Sequence, residues 1–378
     1  MSSAHSVCTH AIERQHSNGV YAYMLPVSGG EELYVTTHLK RGETTAQMFA
    51  RAAAIIAQHG ARVTTQQVFG LCDSEGAGRR ALEEAFGAVC WPVTWLDEGK
   101  MSRPQLAGSL FRAVSGHPIR TIELGGRIVG TAYEDAHARY CHLGDLRDVH
   151  VSRPNAEQAR QVFADIEAAL GQVGMDFSHV IRTWFWNRDI LAWYGDFNKV
   201  RTSFFKERGV FDRLVPASTG IGGSNPAGAA LTTALFAVAP KSPEVKAAAI
   251  ASPLQCPALQ YGSSFSRAVE LTTPDQRWLT ISGTASINPD GKTAHLGDTP
   301  RQIDLTMRVV EAILESRDMT WRQMVRGLAY IRRAEEAKLF VDYCRAHHIP
   351  IDPVVLTNNV ICRDDLLFEI ELDAVVPQ

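Results

Sequence analysis

The chain has 378 residues, 45% hydrophobic and 21% charged, with a formal net charge of −3 and both signs interspersed. That length exceeds an ordinary single core and predicts two or three domains, and the lack of any basic block argues against a nucleic-acid partner. Seven scattered cysteines without a CxxC pair point to a reducing compartment rather than a disulfide scaffold.

Thirteen histidines supply no HExxH, and His347 and His348 are adjacent rather than on one helical face, so neither a metal nor a cofactor is expected. Residues 1–19 are polar, and no apolar run approaches the ~18 residues of a membrane span. Neither a signal peptide nor a transmembrane helix is expected, and the predicted location is the cytoplasm.

In chain order, the first periodic segment carries Phe49, Ala52 and Ile56, followed by Gly60, the spacing of a helix with one apolar face. A strand holding Val68 and Phe69 follows, and an apolar segment over 89–96 is expected to close this unit. The same order then recurs. After His142-Leu143-Gly144-Asp145, a helix is predicted over 158–170 with Phe163, Ile166 and Leu170 on its apolar face, then a strand over 180–187 and a closing segment over 229–239. Phe49, Ala52, Ile56 and Gly60 lie 114 residues before Phe163, Ile166, Leu170 and Gly174.

The order appears a third time. A strand is predicted over 277–282, then turns over 283–298 containing Pro289-Asp290-Gly291, and His295-Leu296-Gly297-Asp298 repeats the earlier tetrapeptide. Pro300 suits a first helical turn with Thr299 as its cap. The helix over 302–316 shows Ile303, Met307, Val310 and Leu314 on one face, 144 residues after the matching helix before it. A strand over 324–331 and an apolar segment over 366–376 complete the unit. Shared strand, tetrapeptide and helix offset predict three diverged copies of one β-α-β unit of roughly 120 residues, over 1–113, 114–240 and 241–378. The fold class is then α+β, with helices packed on one face of mixed sheets and three repeats closing as a pseudo-trimer in one chain. Such a fusion makes an external trimer unnecessary and predicts a monomer or weak homodimer.

Residues able to carry chemistry concentrate in the second half. Over 366–373, alternation puts Glu369, Glu371 and Asp373 on one strand face and Phe368, Ile370 and Leu372 on the other. A wet acidic face would explain this pattern. The second copy, however, places Thr232 and Ala234 opposite Glu369 and Glu371, as expected if a single interface works. A partly desolvated glutamate there would have a raised pKa and serve as general acid or base. Cys362 reads better as a small apolar strand-end residue than as a nucleophile, since no histidine is near in sequence to activate it.

In the strand over 180–187, Arg182, Trp184 and Trp186 share a face opposite Ile181, Thr183 and Phe185; Arg182 is either a carboxylate-binding fork or a stacked surface cation. The glycine-rich stretch 217–225, with Thr219 and Gly220, suits either close backbone approach to an anion or a tight turn, and is not a dinucleotide fingerprint. The run Tyr261-Gly262-Ser263-Ser264-Phe265-Ser266-Arg267-Ala268 is either a solvated linker or a ligand-contacting loop.

The motifs ISGTASINPDGKT, HLGD and FEIELDAV resemble the Rid/YjgF enamine/imine deaminases, homotrimers with ligand sites between subunits. Over residues 120–378, RTWFW, PASTGIGG, YGSSFSRA, SGTAS and CRDDLLFEIE more closely resemble the chorismatases, single-chain relatives that cleave pyruvate from chorismate. That resemblance implies Glu369 as the essential acid and Cys362 as an influential cysteine. It also implies carboxylate clamps from the pool Arg182, Arg201, Arg267 and Arg363, a small-molecule carboxylate substrate, and orienting contacts from Tyr194, Thr219, Gly220, Tyr261, Ser264 and Thr284. Two departures stand out. The Rid arginine that grips a substrate carboxylate is missing from 356–360, and RTWFW replaces the chorismatase-like RTWNY. An enamine/imine hydrolase with another anchor, or a metabolite-binding protein without catalysis, are the competing expectations.

Overall fold

The computed structural model describes residues 12–17, 19–99 and 106–378, and Cys8 lies outside them. Three six-stranded sheets follow one another along the chain. The first contains β1 (Glu13–Ser17), β2 (Val20–Val27), β3 (Gly30–Thr37), β4 (Arg62–Gly70), β5 (Val93–Leu96) and β6 (Leu106–Val114). The second contains β7 (Arg120–Leu124), β8 (Arg127–Glu134), β9 (Ala138–Leu146), β10 (Val180–Asn187), β11 (Ala217–Gly222) and β12 (Leu231–Pro240). The third contains β13 (Lys246–Ile250), β14 (Ala268–Thr272), β15 (Gln276–Ala285), β16 (Met324–Ile331), β17 (Val354–Asn358) and β18 (Phe368–Pro377).

Their topologies superimpose. Each sheet has the order first-second-third-sixth-fourth-fifth strand, with one parallel pair at the fourth and fifth and antiparallel pairs elsewhere. Even the irregularities recur. The fourth strands bulge at Val63/Thr65, Val180/Arg182 and Met324/Arg326, after which Thr65 faces Arg112, Arg182 faces Phe236 and Arg326 faces Asp373. Counting four residues on, Gly108, Thr232 and Glu369 occupy one pseudo-equivalent position, paired with Phe69, Trp186 and Tyr330.

Two helices cover the outer face of each sheet: α1 (Thr45–Gln58) and α2 (Glu75–Phe86), α3 (Asn155–Gly171) and α4 (Ile190–Glu207), α5 (Thr299–Glu315) and α6 (Ala337–Ala346). The anticipated periodicities hold, with Phe49, Ala52 and Ile56, then Phe163, Ile166 and Leu170, then Ile303, Met307, Val310 and Leu314 buried against their sheets. The inner faces of all three sheets meet in a fourth, central core that includes Tyr34, Leu110, Trp184, Phe236, Trp278 and Leu328. Loops after β5, β11 and β17 close one end of this barrel-like arrangement in a ring of backbone bonds: Asp97 N to Ser224 O at 3.0 Å, Gly222 N to Val360 O at 2.7 Å, and Asn358 N to Glu98 O at 3.1 Å. Among the described residues no helix is long and apolar enough to cross a membrane.

Several sequence expectations need correction. The segment 89–96 does not close the first unit: β5 within it is a parallel edge strand, and β6 supplies the antiparallel closing strand. Gly108, Ser109 and Arg112 interrupt the apolar pattern of β6 and hide that role. The cap of α5 is Asp298, whose carboxylate accepts from Arg301 N at 3.1 Å; Thr299 lies inside the helix and donates to Glu336 at 2.6 Å. The bulge in β10 moves Ile181 to the inner face with Trp184 and Trp186, away from Phe185. Finally, β18 has no wet face. Its outer side packs Phe368, Ile370 and Leu372 under the helices, while Glu369, Glu371 and Asp373 are all buried on the inner side.

Candidate active site

The second and third sheets meet where β11 runs against β15. Ser218 N donates to Ser282 Oγ at 2.9 Å, Gly283 N to Thr219 Oγ1 at 3.0 Å, and Ser266 N to Pro216 O at 3.0 Å. Beside this seam lies a cavity of about 240 Å³. Of the residues singled out in the sequence, Tyr194, Arg201, Gly220, Tyr261, Arg267, Cys362, Arg363 and Glu369 line it. The glycine-rich stretch is therefore a strand forming one wall, and 261–268 is a wall loop rather than a solvated linker.

Two glycines give the wall its shape. A Cβ on Gly283 would sit 2.1 Å from Glu369 Oε1, and a Cβ on Gly220 would sit 2.7 Å from the Tyr194 hydroxyl. The missing side chains are what let the carboxyl and the phenol approach the seam.

Glu369 is 4% exposed, and among the described residues no side-chain donor hydrogen-bonds its carboxyl. Burial, and next the nearby Glu371 charge, push it up to about 8, against the pull of Arg182 and Arg267. At neutral pH it holds its proton. Glu371, two residues on, has the opposite environment. It accepts from Arg182 Nη2 at 2.7 Å, Trp184 Nε1 at 2.7 Å and Arg326 Nη2 at 2.8 Å, and from the Thr219 hydroxyl. Burial would raise it, but these guanidiniums and donors win and hold it below the usual carboxylate range.

Arg182, Thr219, Ser264 and Thr284 stand outside the cavity. Arg182 is fully buried, stacked 4.6 Å over Trp184 and committed through Nη2 to Glu371 and Thr219; it is an internal cation paired end-on with a carboxylate, not a surface cation. Ser264 shares a 2.8 Å bond with Thr202, and Thr284 donates to Ser282 O at 2.8 Å. The cluster around Glu371 also includes Arg326, which the sequence reading passed over. The 144-residue offset that aligned the helices places Arg326 opposite Arg182 and was the available signal.

The three cavity arginines are differently engaged. Arg201 donates to Asn198 Oδ1 at 2.7 Å, Arg267 donates twice to Cys256 O, at 3.1 and 2.9 Å, and Arg363 donates to Gly291 O at 2.8 Å. Arg267 and Arg363 each lie 5.4 Å from the centre of the Tyr261 ring, which thus braces both. Among the described residues none of the three forms an ion pair with a carboxylate, so the cavity gathers three guanidiniums beside the Glu369 carboxyl. The Cys362 thiol is pushed up to about 12 by burial and then by Glu369; no histidine lines the cavity, so nothing there generates a thiolate. Among the described residues no group of three His, Cys, Asp or Glu is placed to hold a metal ion.

Comparisons with known proteins show likenesses in sequence and fold. The family described as Endoribonuclease L-PSP matches residues 145–229. A 3-hydroxybenzoate synthase of Streptomyces hygroscopicus is 28% identical over 57% of this chain and 68% of its own length. A chorismatase of the same organism is 28% identical over 49% of this chain, which thereby spans only 56% of that relative. A crystal structure of chorismatase, 19% identical, aligns over 93% of this chain and 99% of the other with a TM-score of 0.64, showing the same fold. Three repeats in one chain, these relatives and the shared fold make the protein similar to the chorismatases.

Proposed function

We propose that the protein cleaves pyruvate from chorismate or a similar cyclic enol-pyruvyl diacid. The observation that carries this reading is a buried Glu369, whose surroundings favour its protonated form, sharing one cavity with three guanidiniums that pair with no carboxylate among the described residues. A dianionic substrate supplies the missing negative charge, and forked arginines recognise carboxylates through paired hydrogen bonds. Tyr194 and Tyr261 provide apolar faces for the ring.

In this mechanism the Glu369 O–H delivers its proton to the enol-ether methylene, whose π pair forms the new C–H bond and leaves an oxocarbenium. Water adds to that cation and returns a proton to Glu369. Collapse of the hemiketal breaks the remaining C–O bond, giving pyruvate and a ring hydroxyl. General acids of this kind contribute ~10²–10⁴-fold. If instead the ring C–O bond of the oxocarbenium breaks, its electron pair forming the pyruvate carbonyl, and the adjacent ring carbon loses a proton, a hydroxybenzoate results, so hydrolysis and elimination share the first step. Cys362, neutral and beside Glu369, fits a packing role at the cavity wall.

Incubating the purified chain with chorismate and identifying the products by mass spectrometry tests this. Pyruvate with a dihydroxylated ring supports hydrolysis, and pyruvate or its equivalent with a hydroxybenzoate supports elimination. Hydrolysis of simple imines without any pyruvate release would put the enamine/imine reading in its place. Binding of chorismate without turnover would favour a metabolite sensor. We further propose that the fused repeats act as a monomer or weak dimer, which sedimentation velocity would check; an obligate trimer of full chains is the outcome that refutes it.

A further inference from the structure

Behind the wall of the cavity sits a buried charge cluster. Glu371, fully buried, takes four donors, two of them guanidiniums on different sheets: Arg182 on β10 and Arg326 on β16. Thr219 ties this cluster to the cavity. Its hydroxyl donates to Glu371, accepts from Arg182 at 2.7 Å, and accepts from Gly283 N at 3.0 Å. Gly283 is the residue against which the Glu369 carboxyl lies.

We propose that Glu371 is a positioning residue for the acid: a permanently ionised neighbour, locked by Arg182, Arg326, Trp184 and Thr219, that keeps the proton on Glu369 and fixes the pH window of the reaction. This rests on the acid role given to Glu369 above. The sign follows from charge. A carboxylate two residues along the same buried strand face opposes ionisation of Glu369, and its four donors prevent it from escaping that role by taking up a proton. The fixed charges facing Glu369 are Glu371 on its own strand, Arg182 on β10 and Arg267 before β14, with Arg201 on α4 and Arg363 before β18 further round the cavity. The titratable neighbours Tyr194, Tyr330 and Cys362 stay neutral, because burial pushes each of them up. The Glu371 charge is thus the main group opposing Glu369 ionisation that a single substitution removes.

The test needs no substrate. Infrared titration follows the C=O band of a protonated carboxyl in wild type, Glu369→Gln, Glu371→Gln and the charge-balanced Glu371→Gln/Arg182→Gln, each first checked for folding by circular dichroism. We expect one band to vanish in Glu369→Gln. Its midpoint should fall by about one pH unit or more in Glu371→Gln, and by less, in the same direction, in the double variant, which carries the test if the single variant does not fold. The alkaline limb of the pH–rate profile should move with it. A band that is present but keeps its midpoint in the folded Glu371 variants makes Glu371 merely structural and overturns this inference alone. Absence of any Glu369 band in the wild type near neutral pH removes the acid role itself, and this inference with it.

Discussion

The seam between the second and third sheets is open and charged, whereas its pseudo-equivalent between the third and first sheets is closed. Where Glu369 stands on β18, β6 has Gly108. Even a single added carbon there would meet Thr37 O at 2.8 Å, Val355 Cγ2 at 3.0 Å and His38 Nδ1 at 3.2 Å. Val355 in turn stands where Thr219 stands in the second sheet, so an apolar side chain fills space that the open seam leaves to a hydroxyl. The seam between the first and second sheets is closed differently. Thr94 Oγ1 accepts from Asp145 N at 2.9 Å, just as Thr219 accepts from Gly283 N. There the residue in the glycine's place is an aspartate bound to Arg127 and Arg147. One backbone frame, used three times, leaves a few side chains to decide which seam stays open.

The sharpest way to break the comparison is to remove the carboxyl that distinguishes the open seam. Glu369→Gln keeps the shape but has no transferable proton, and pyruvate release from chorismate should fall by ~10²–10⁴-fold. The same variant should be more stable than wild type at pH 8. A carboxyl raised from 4.5 to about 8 costs the fold nothing below 4.5 and progressively more as pH rises toward 8. Thermal melts across that range should therefore diverge with increasing pH. Undiminished turnover would remove Glu369 from the chemistry.

Gly283→Ala tests the space beside the acid without touching its charge. The added methyl displaces the carboxyl, and turnover should fall about tenfold or more; wild-type kinetics would mean that the carboxyl works from another position. Arg267→Lys retains the charge but loses the fork and the full contact with Tyr261. Its KM should rise about tenfold, and unaltered kinetics would place Arg267 outside the substrate clamp. At the closed seam, Gly108→Ala should cost about 1–3 kcal/mol of stability, measured by urea unfolding, from overpacking against backbone. Its kcat/KM per folded molecule should not change. A loss of activity there would show that the closed seam communicates with the open one.

Much of this was legible because it is periodic. Helix faces of α1, α3 and α5 repeat every three or four residues, and the offset of 144 between the second and third units survives in side-chain size alone. Alternation in β18 also separated Glu369, Glu371 and Asp373 from the apolar set. The first unit was harder: three polar or small residues broke the apolar run of β6, and its closing strand was assigned to 89–96. In β10 the bulge changed the parity of Ile181, which no periodic pattern contains.

The sequence by itself determined that this chain repeats, which residues face helices or sheets, and that the distinctive carboxylates and arginines fall in its second half. Only the tertiary structure decided which of them meet. Arg182 and Glu371 are 189 residues apart and Glu369 and Arg201 are 168 apart, and local spacing says nothing about such pairs. Whether Glu369 is a wet surface charge or a buried acid depends on what the second sheet brings against the third. Among the described residues the same strand face gives one carboxylate four side-chain donors and its neighbour none, because desolvation and hydrogen bonding are properties of the seam rather than of the strand.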